Sequence, residues 1–346
     1  MMSDPTHAAY DERRSADWLS LSGRYEEAIA FNSRAIDRYR VLADKEPTRY
    51  LPDLAGSLNN LSATLSAIGR REEALAAAYE ALNLYRSLAE GQPDAFTPDL
   101  AGSLNNLSAT LSALGRREEA LAAAYEALHL YRHLAERQPD AFLPDQARTL
   151  NNLAAALSET GRREEALVAT NEALHLYRRL AERRPDAFVP EQARTLNNLA
   201  AVLSETGRRE EALVATNEAL HLYRRLGEAQ PGAFILDQAR TINNLANALQ
   251  SQGRLAEARP LLERALAIYE KTLGIDHPST AASLNNLANV LQGEGKLTKA
   301  RPLLERALAI YEKTLGTDHP YSTDIKGRLT SMARNLAIST RPLIDP

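Results

Sequence analysis

The sequence predicts an all-α solenoid, with about seven antiparallel helix hairpins stacked in line and closed by a C-terminal capping helix. Three observations predict it. First, one pattern recurs along nearly the whole chain: Leu-Asn-Asn-Leu, then Gly-Arg, Glu-Ala, Ala-Leu and Tyr-x-x-Leu. Its core starts at Leu58, Leu104, Leu150 and Leu196 and recurs from Ile242 and Leu284, so the spacing is 46 residues four times and 42 once. A fixed period in this range marks stacked supersecondary units rather than one globular core. Second, each unit carries two helix-spaced apolar stripes separated by a glycine. Third, hydrophobic residues make up 44% of the chain but aromatics only 5%, and the apolar share is rich in Ala and Leu. That composition suits close helix packing.

The elements follow in order. Residues 1–7 read as a polar tail, and Met1 to Pro5 lacks the basic-then-apolar pattern of a signal. The first unit is divergent. Gly23, Ala28 and Ala35 keep register with Gly69, Ala74 and Ala81, but Glu12 and Ser15 stand in the places of Leu58 and Leu61, and Trp18 appears. It reads as an N-terminal cap whose outer face meets water. In the unit from Pro52 to Glu90, Pro52-Asp53 is expected to open a helix. Leu58, Leu61, Leu65 and Ile68 form its stripe, and Gly69 ends it in the left-handed conformation. Arg70-Arg71-Glu72-Glu73 starts the second helix. Its buried face is Ala74, Leu75, Ala78, Ala81, Leu82, Tyr85 and Leu88.

Gln92 to Asp99 reads as a linker to the next unit. Phe96, Phe142, Phe188 and Phe234 recur in such linkers, with Tyr50 in the matching place, as loop aromatics plugged between hairpins. In the last two units the linker shortens to Leu273–Pro278 and Leu315–Pro320, which accounts for the shorter period. Residues 322–338 lack the Leu-Asn-Asn-Leu core and carry Arg328, Arg334 and Asn335, the mark of a solvating cap. The domain expectation is one solenoid over 8–338, followed by a tail at 339–346.

These units resemble the tetratricopeptide repeat, a helix–turn–helix module. The resemblance rests on the Leu-x-x-Leu helix, the glycine turn and two small residues seven apart in the second helix. Those pairs are Ala28/Ala35, Ala74/Ala81, Ala120/Ala127, Ala166/Ala173, Ala212/Ala219, Ala258/Ala265 and Ala300/Ala307. The units from Ile242 and Leu284, with their Asp-His-Pro turns, resemble the longer kinesin-light-chain type. The resemblance implies a right-handed superhelix whose first helices line a concave peptide-binding surface. It also implies that asparagines on those helices read peptide backbone. The matching second asparagines are Asn60, Asn106, Asn152, Asn198, Asn244 and Asn286; the first are Asn59, Asn105, Asn151, Asn197, Asn243 and Asn285.

An Asn amide both donates and accepts, so it suits sequence-tolerant binding of an extended ligand. The competing reading is that Asn pairs tie neighbouring helices together. At 100° per residue, Arg148, Asn151, Ala155, Ser158 and Glu159 point away from the stripe of Leu150, Leu153 and Leu157, with Asn152 at its edge. Arginine appears on this face only centrally, at Arg148, Arg194 and Arg240. It can grip carboxylates, so an acidic or carboxylate-bearing partner segment is expected there. Asp145, Glu191 and Asp237, three residues earlier, offer local ion pairs instead. Asn247 and Asn289, with Gln250 and Gln292, make the C-terminal part of the face rich in amides.

Other chemistry is not expected. The chain has no cysteine, a net charge of −4 and no long apolar run, so no thiolate metal site, nucleic-acid partner or membrane span is foreseen. His129, His175 and His221 share a position with Asn83, Ala267 and Ala309, which argues against a catalytic role. His277 and His319 read as turn residues. Gly293-Glu294-Gly295-Lys296 lacks the spacing of a phosphate loop. The functional expectation is a non-enzymatic, cofactor-free cytoplasmic scaffold that binds a peptide or partner protein, with Arg-over-Lys usage pointing to a bacterial source. The alternatives are a peptide-responsive sensor and a recently duplicated or engineered array without a selected ligand. Oligomeric state is not encoded.

Overall fold

The computed structural model of the chain describes residues 5–339, with side chains placed for 6–333. The described residues form fifteen α-helices and no strand. Two compact units, Met1–Leu180 and Ala181–Pro346, are each a stack of hairpins. The first holds α1 (Pro5–Leu21), α2 (Tyr25–Lys45), α3 (Pro47–Ala67), α4 (Arg71–Gly91), α5 (Pro93–Ala113), α6 (Arg117–Arg137) and α7 (Pro139–Glu159). The boundary falls within α8 (Arg163–Arg183). The second holds α9 (Pro185–Glu205), α10 (Arg209–Ala229), α11 (Ile235–Ser251), α12 (Leu255–Leu273), α13 (Pro278–Gly293), α14 (Leu297–Leu315) and α15 (Pro320–Ser339). Odd-numbered helices up to α13 open a hairpin and are called A helices; even-numbered ones are B helices. The seven hairpins and the terminal helix match the sequence reading. The side chains of Arg334 and Asn335, and residues 1–4 and 340–346 of the expected tails, lie outside the described residues. α1 already begins at Pro5.

Each hairpin is closed by its glycine. Gly69 has φ +79°, and its N–H donates to Ser66 O at 3.1 Å while Arg70 N–H donates to Leu65 O at 3.0 Å. This double bond closes the helix end, and only glycine takes that φ without strain. The B helix starts at once, with Arg70 Nε and Nη2 donating to Glu73 Oε1 and Oε2 at 2.7 Å each.

Packing inside the hairpin is set by alanine. All seven pairs, from Ala28/Ala35 to Ala300/Ala307, are completely buried at 0% exposure. A side chain of one carbon at these points lets the A and B backbones approach. In two hairpins a hydroxyl adds a tie across the contact: Ser62 Oγ donates to Ala74 O, and Ser108 Oγ to Ala120 O, both at 2.8 Å. The leucines of the A stripe, such as Leu58, Leu104, Leu150, Leu196 and Leu284, are 0–2% exposed and fill the hairpin core.

The linkers differ from expectation. Residues 93–99 are not a loop but the first turns of α5, and a single residue, Gln92 (φ −141°, ψ 74°), separates α4 from α5. Likewise α3 opens at Pro47, not Pro52, which sits within its second turn. Proline needs no helical N–H at the first position, so Pro47, Pro93, Pro139 and Pro185 each start a helix. Phe96, Phe142 and Phe188 are therefore half-buried helical residues, and Tyr50 is a buried one. Only Phe234 follows an irregular stretch, because Gly232 replaces the Asp of Asp186 and adopts φ +88°.

Buried tyrosines line the B helices. Burial pushes the phenols of Tyr39, Tyr85, Tyr131 and Tyr223 up to about 12, helped by Asp53, Asp99, Asp145 and Asp237 respectively. Each carboxylate belongs to the A helix that follows. The folded state thus holds these protons where the unfolded chain, titrating near its ordinary value of about 10, releases them. Their stabilising contribution is complete below about pH 10 and is lost as pH rises toward 12. Urea midpoints measured from pH 8 to 12 will stay level and then fall between 10 and 12, and Tyr131→Phe will soften that fall; a flat profile would show that the phenols are not held protonated. A second test concerns the alanine contact. Ala127→Leu will cost about 1–3 kcal/mol through overpacking, whereas Ala122→Leu, on the exposed side of the same helix, will move the urea midpoint little.

Candidate functional site on the A-helix face

In the first unit the A helices place one open row side by side. Ala63, Ala109 and Ala155 occupy one repeat position and are all exposed. Beside them run the asparagines. Asn106 Nδ2 donates to Asn59 Oδ1 at 3.1 Å, and Asn152 Nδ2 to Asn105 Oδ1 at 2.9 Å. The second Asn of one A helix thus holds the first Asn of the helix before it. The ladder follows from geometry: the pair lies at the edge of the leucine stripe, where adjacent A helices meet. Of the two sequence readings, the interhelical tie describes Asn106 and Asn152 in this state.

The first hairpin completes the ladder with charge. Asn60 Nδ2 donates to Asp17 Oδ1 at 2.7 Å, and Arg13 Nη1 to Asp53 Oδ1 at 2.9 Å. Arg13 lies over Gly56, where a Cβ would stand 2.8 Å from its Nη2. Gly56 is therefore covered, not an open groove position. Sequence comparison passed over Arg13 and Asp17. Their register places match Asn59 and Ala63, but the divergent unit hides the match.

The first asparagines do not point outward as the helical wheel suggested. Asn105, Asn151, Asn197 and Asn243 are buried, at 1–8% exposure. Asn105 is covered by the next A helix through Asn152. In the second unit Asn197 Nδ2 donates to Thr241 Oγ1 at 2.8 Å, and Asn243 Oδ1 accepts from Ser283 Oγ at 3.5 Å. A wheel describes one helix in isolation and omits the neighbour that closes over its flank. Asn198 is exposed; Asn244 and Asn286 are half-buried; Asn247 is exposed. Asn285 and Asn289 accept from Arg328 of α15.

The three central arginines are each held by the acid one turn earlier. Arg148 Nη2 lies 2.6 Å from Asp145 Oδ1, Arg240 Nη2 lies 2.8 Å from Asp237 Oδ1, and Arg194 pairs with Glu191. All six side chains keep substantial exposure, so an incoming carboxylate can compete for them.

The histidines fall as expected. His129, His175 and His221 are exposed. His277 Nδ1 accepts from Ser279 N–H at 3.1 Å, capping α13, and His319 Nδ1 accepts from Tyr321 N–H at 3.3 Å. Among the described residues no cluster of His, Cys, Asp and Glu is arranged to hold a metal ion.

The ladder gives a stability test. Asn152→Ala strands Asn105 Oδ1 and will cost about 1 kcal/mol. Asn244→Ala, whose side chain makes no hydrogen bond among the described residues, will leave the urea midpoint nearly unchanged. Equal losses at both sites would mean that the ladder does not contribute.

Comparison with known proteins agrees with this architecture. The tetratricopeptide repeat family matches residues 54–94, 100–140, 146–186 and 192–226, and a second description of the same repeat matches 237–313 and 281–325. No curated protein matches the chain. Among solved structures, BtubC (BKLC) from P. vanneervenii is 24% identical, with a TM-score of 0.56 over 72% of this chain and 94% of its own. The signal transduction ATPase PH0952 from Pyrococcus horikoshii, which has a tetratricopeptide repeat sensor, is 14% identical with a TM-score of 0.64, over 94% of this chain but only 44% of its own. A Rap protein complexed with competence and sporulation factor is 15% identical, with a TM-score of 0.52 over 95% of this chain and 76% of its own. These likenesses concern the fold. With the family match spanning well over half of its length, the chain belongs to the tetratricopeptide repeat family.

Proposed function

We propose that this chain is a non-enzymatic scaffold that holds an extended peptide, or an extended segment of a partner protein, against its A-helix face. Tetratricopeptide repeats are in general protein–protein interaction scaffolds. The observation that carries the reading here is the exposed alanine row, Ala63, Ala109 and Ala155, flanked by amides. Small side chains leave room for a second backbone to approach, and an amide can serve as donor or acceptor to any peptide group. The half-buried Asn106 and Asn152 give the ladder only an Nδ2 hydrogen and keep their Oδ1 out of the tie, so a ligand N–H can be accepted without breaking it. Near Arg148, Arg194 and Arg240 the segment carries carboxylates, which displace or share the local acids. No described helix is long and apolar enough to cross a membrane, and a cytoplasmic location is part of this reading.

The test compares three baits in a pull-down from native lysate. Ala109→Arg with Ala155→Arg fills the open row with long side chains at exposed helical positions. Val168→Arg changes the exposed B-helix side, where Val168 is 68% exposed. With both variants folded as the parent by circular dichroism, a partner lost only by the row variant supports the A-helix face. A partner kept by the row variant and lost by Val168→Arg would move the interface to the B helices and overturn the reading.

A further inference from the structure

Five A helices carry an acid in one register place: Asp53 on α3, Asp99 on α5, Asp145 on α7, Glu191 on α9 and Asp237 on α11. Four of the five are met by an arginine. Arg13 Nη1 stands 2.9 Å from Asp53 Oδ1, Arg148 Nη2 2.6 Å from Asp145 Oδ1 and Arg240 Nη2 2.8 Å from Asp237 Oδ1, and Arg194 pairs with Glu191. Asp99 is the exception. Its carboxylate makes no hydrogen bond or ion pair among the described residues, and it is exposed where the other four are half-buried.

The repeat has two ways to supply the arginine, and α5 has neither. On α7, α9 and α11 it stands three residues after the acid; on α5 that place is Gly102. On α3 the place is Gly56, and Arg13 reaches over from α1 to cover it, with Nη2 only 2.8 Å from where a Cβ would stand. The register counterpart of Arg13 that faces α5 is Asn59, a short amide already bonded to Asn106. The space over Gly102 is therefore open: a Cβ there would meet only Tyr131 Oη, at 3.4 Å, and Gly102 is half-buried where Gly56 is buried. The guanidiniums on either side are taken, Arg13 by Asp53 and Arg148 by Asp145.

Two phenols frame the gap. Tyr131 Oη lies beside Gly102, and Tyr85 of α4 is close enough to Asp99 for the carboxylate to help hold its proton. Neither hydroxyl is hydrogen-bonded among the described residues, so each oxygen can accept an N–H. Desolvation on its packed side pushes the Asp99 carboxyl up, and the charge of Arg13 offsets only part of this. An opposite charge brought close favours the ionised carboxylate. Gly102 precedes Ala109 by seven residues, two helical turns, so the gap and the exposed alanine row share one side of α5.

We propose that Asp99, the space over Gly102 and the phenol oxygens of Tyr85 and Tyr131 form a subsite for a cationic side chain, arginine or lysine, of the bound segment. The ligand supplies the charge that the chain itself supplies to the other four acids. The inference rests on the scaffold reading above and adds a charge order to it: a cation at α5, beside a carboxylate at Arg148 of the neighbouring α7.

The test uses blocked tripeptides, acetyl-Gly-Arg-Gly-amide with its lysine and citrulline counterparts, titrated into the full chain at neutral pH. The readout is the carboxyl carbon NMR signal of Asp99, assigned through Asp99→Asn, and the midpoint of its titration. Both cationic peptides are expected to shift the signal and lower the midpoint, with citrulline weaker by about tenfold, the scale of one charged hydrogen bond. Gly102→Arg restores the arginine of the repeat. It is expected to lower the Asp99 midpoint without peptide and to weaken both cationic peptides by about tenfold, whereas Gly102→Ala keeps their binding. A citrulline peptide that binds as well as arginine, an Asp99 signal that no cationic peptide moves, or full binding by Gly102→Arg would each overturn the proposal. If the peptides leave Asp99 unmoved while the row variant still abolishes partner capture, the subsite falls and the scaffold reading stands.

Discussion

The contact on which the rest depends is the one between two backbones at paired alanines. Each hairpin closes on residues with no exposed surface at all, and the seven pairs repeat that contact with one geometry. Because the A and B helices are so close, the leucines beside them meet in thin clusters within each unit rather than in one broad core. Because each hairpin has nearly the same geometry, equivalent side chains recur at equivalent places along a unit. The tyrosines against the next acidic helix start, the Arg–Glu clasp after each glycine and the asparagine ladder are all consequences of that repetition. Overpacking one alanine would shift the register of everything stacked on it within its unit.

Repetition also explains why the asparagines are ambiguous from sequence. A residue at the edge of a packed stripe faces both the neighbouring helix and the open surface. In the first unit the neighbour takes the donor of Asn106 and Asn152. In the second unit the ties pass through hydroxyls instead, Thr241 and Ser283, and the second asparagine is released. The choice of serine or threonine does not by itself set this: at that register position Thr149 accompanies the amide tie of Asn152, while Thr241 and Ser283 both make hydroxyl ties.

Much of the fold was legible because it was written several times over. The period, the glycine turns and the alanine pairs each recur, and chance cannot maintain three registers together. What was misread had one cause. Pro52-Asp53 and Pro98-Asp99 look like helix starts, yet Pro47 and Pro93, five residues earlier, have the same property and better use of it. The extra turns are retained because Tyr50 and Phe96 gain burial as helical residues. Similarly, the outward placement of Asn151 followed from a single-helix wheel, and its burial comes from packing that no wheel contains. Arg13 and Arg328 were visible only as departures from the repeat. Arg328 proved to be a terminal rung, meeting the amides of the last A helix, while at the other end Asp17 takes the amide of Asn60 and Arg13 pairs with Asp53 beside it.

That last point bears on recognition. An array must change chemistry where its own next unit no longer supplies the partner. At α15 the Asn of the repeat is replaced by Arg328, and the amides of α13, which would otherwise face an unfilled surface, are satisfied by one side chain from within the chain. The row on α11 has the same composition and spacing, but there the next unit is present and supplies the closure itself: Asn243 is buried, and its Oδ1 accepts from Ser283 of α13 at 3.5 Å. The same amide is therefore met by a short hydroxyl where the array continues and by a long guanidinium where it stops, because a buried acceptor left without a donor costs more than the substitution that satisfies it.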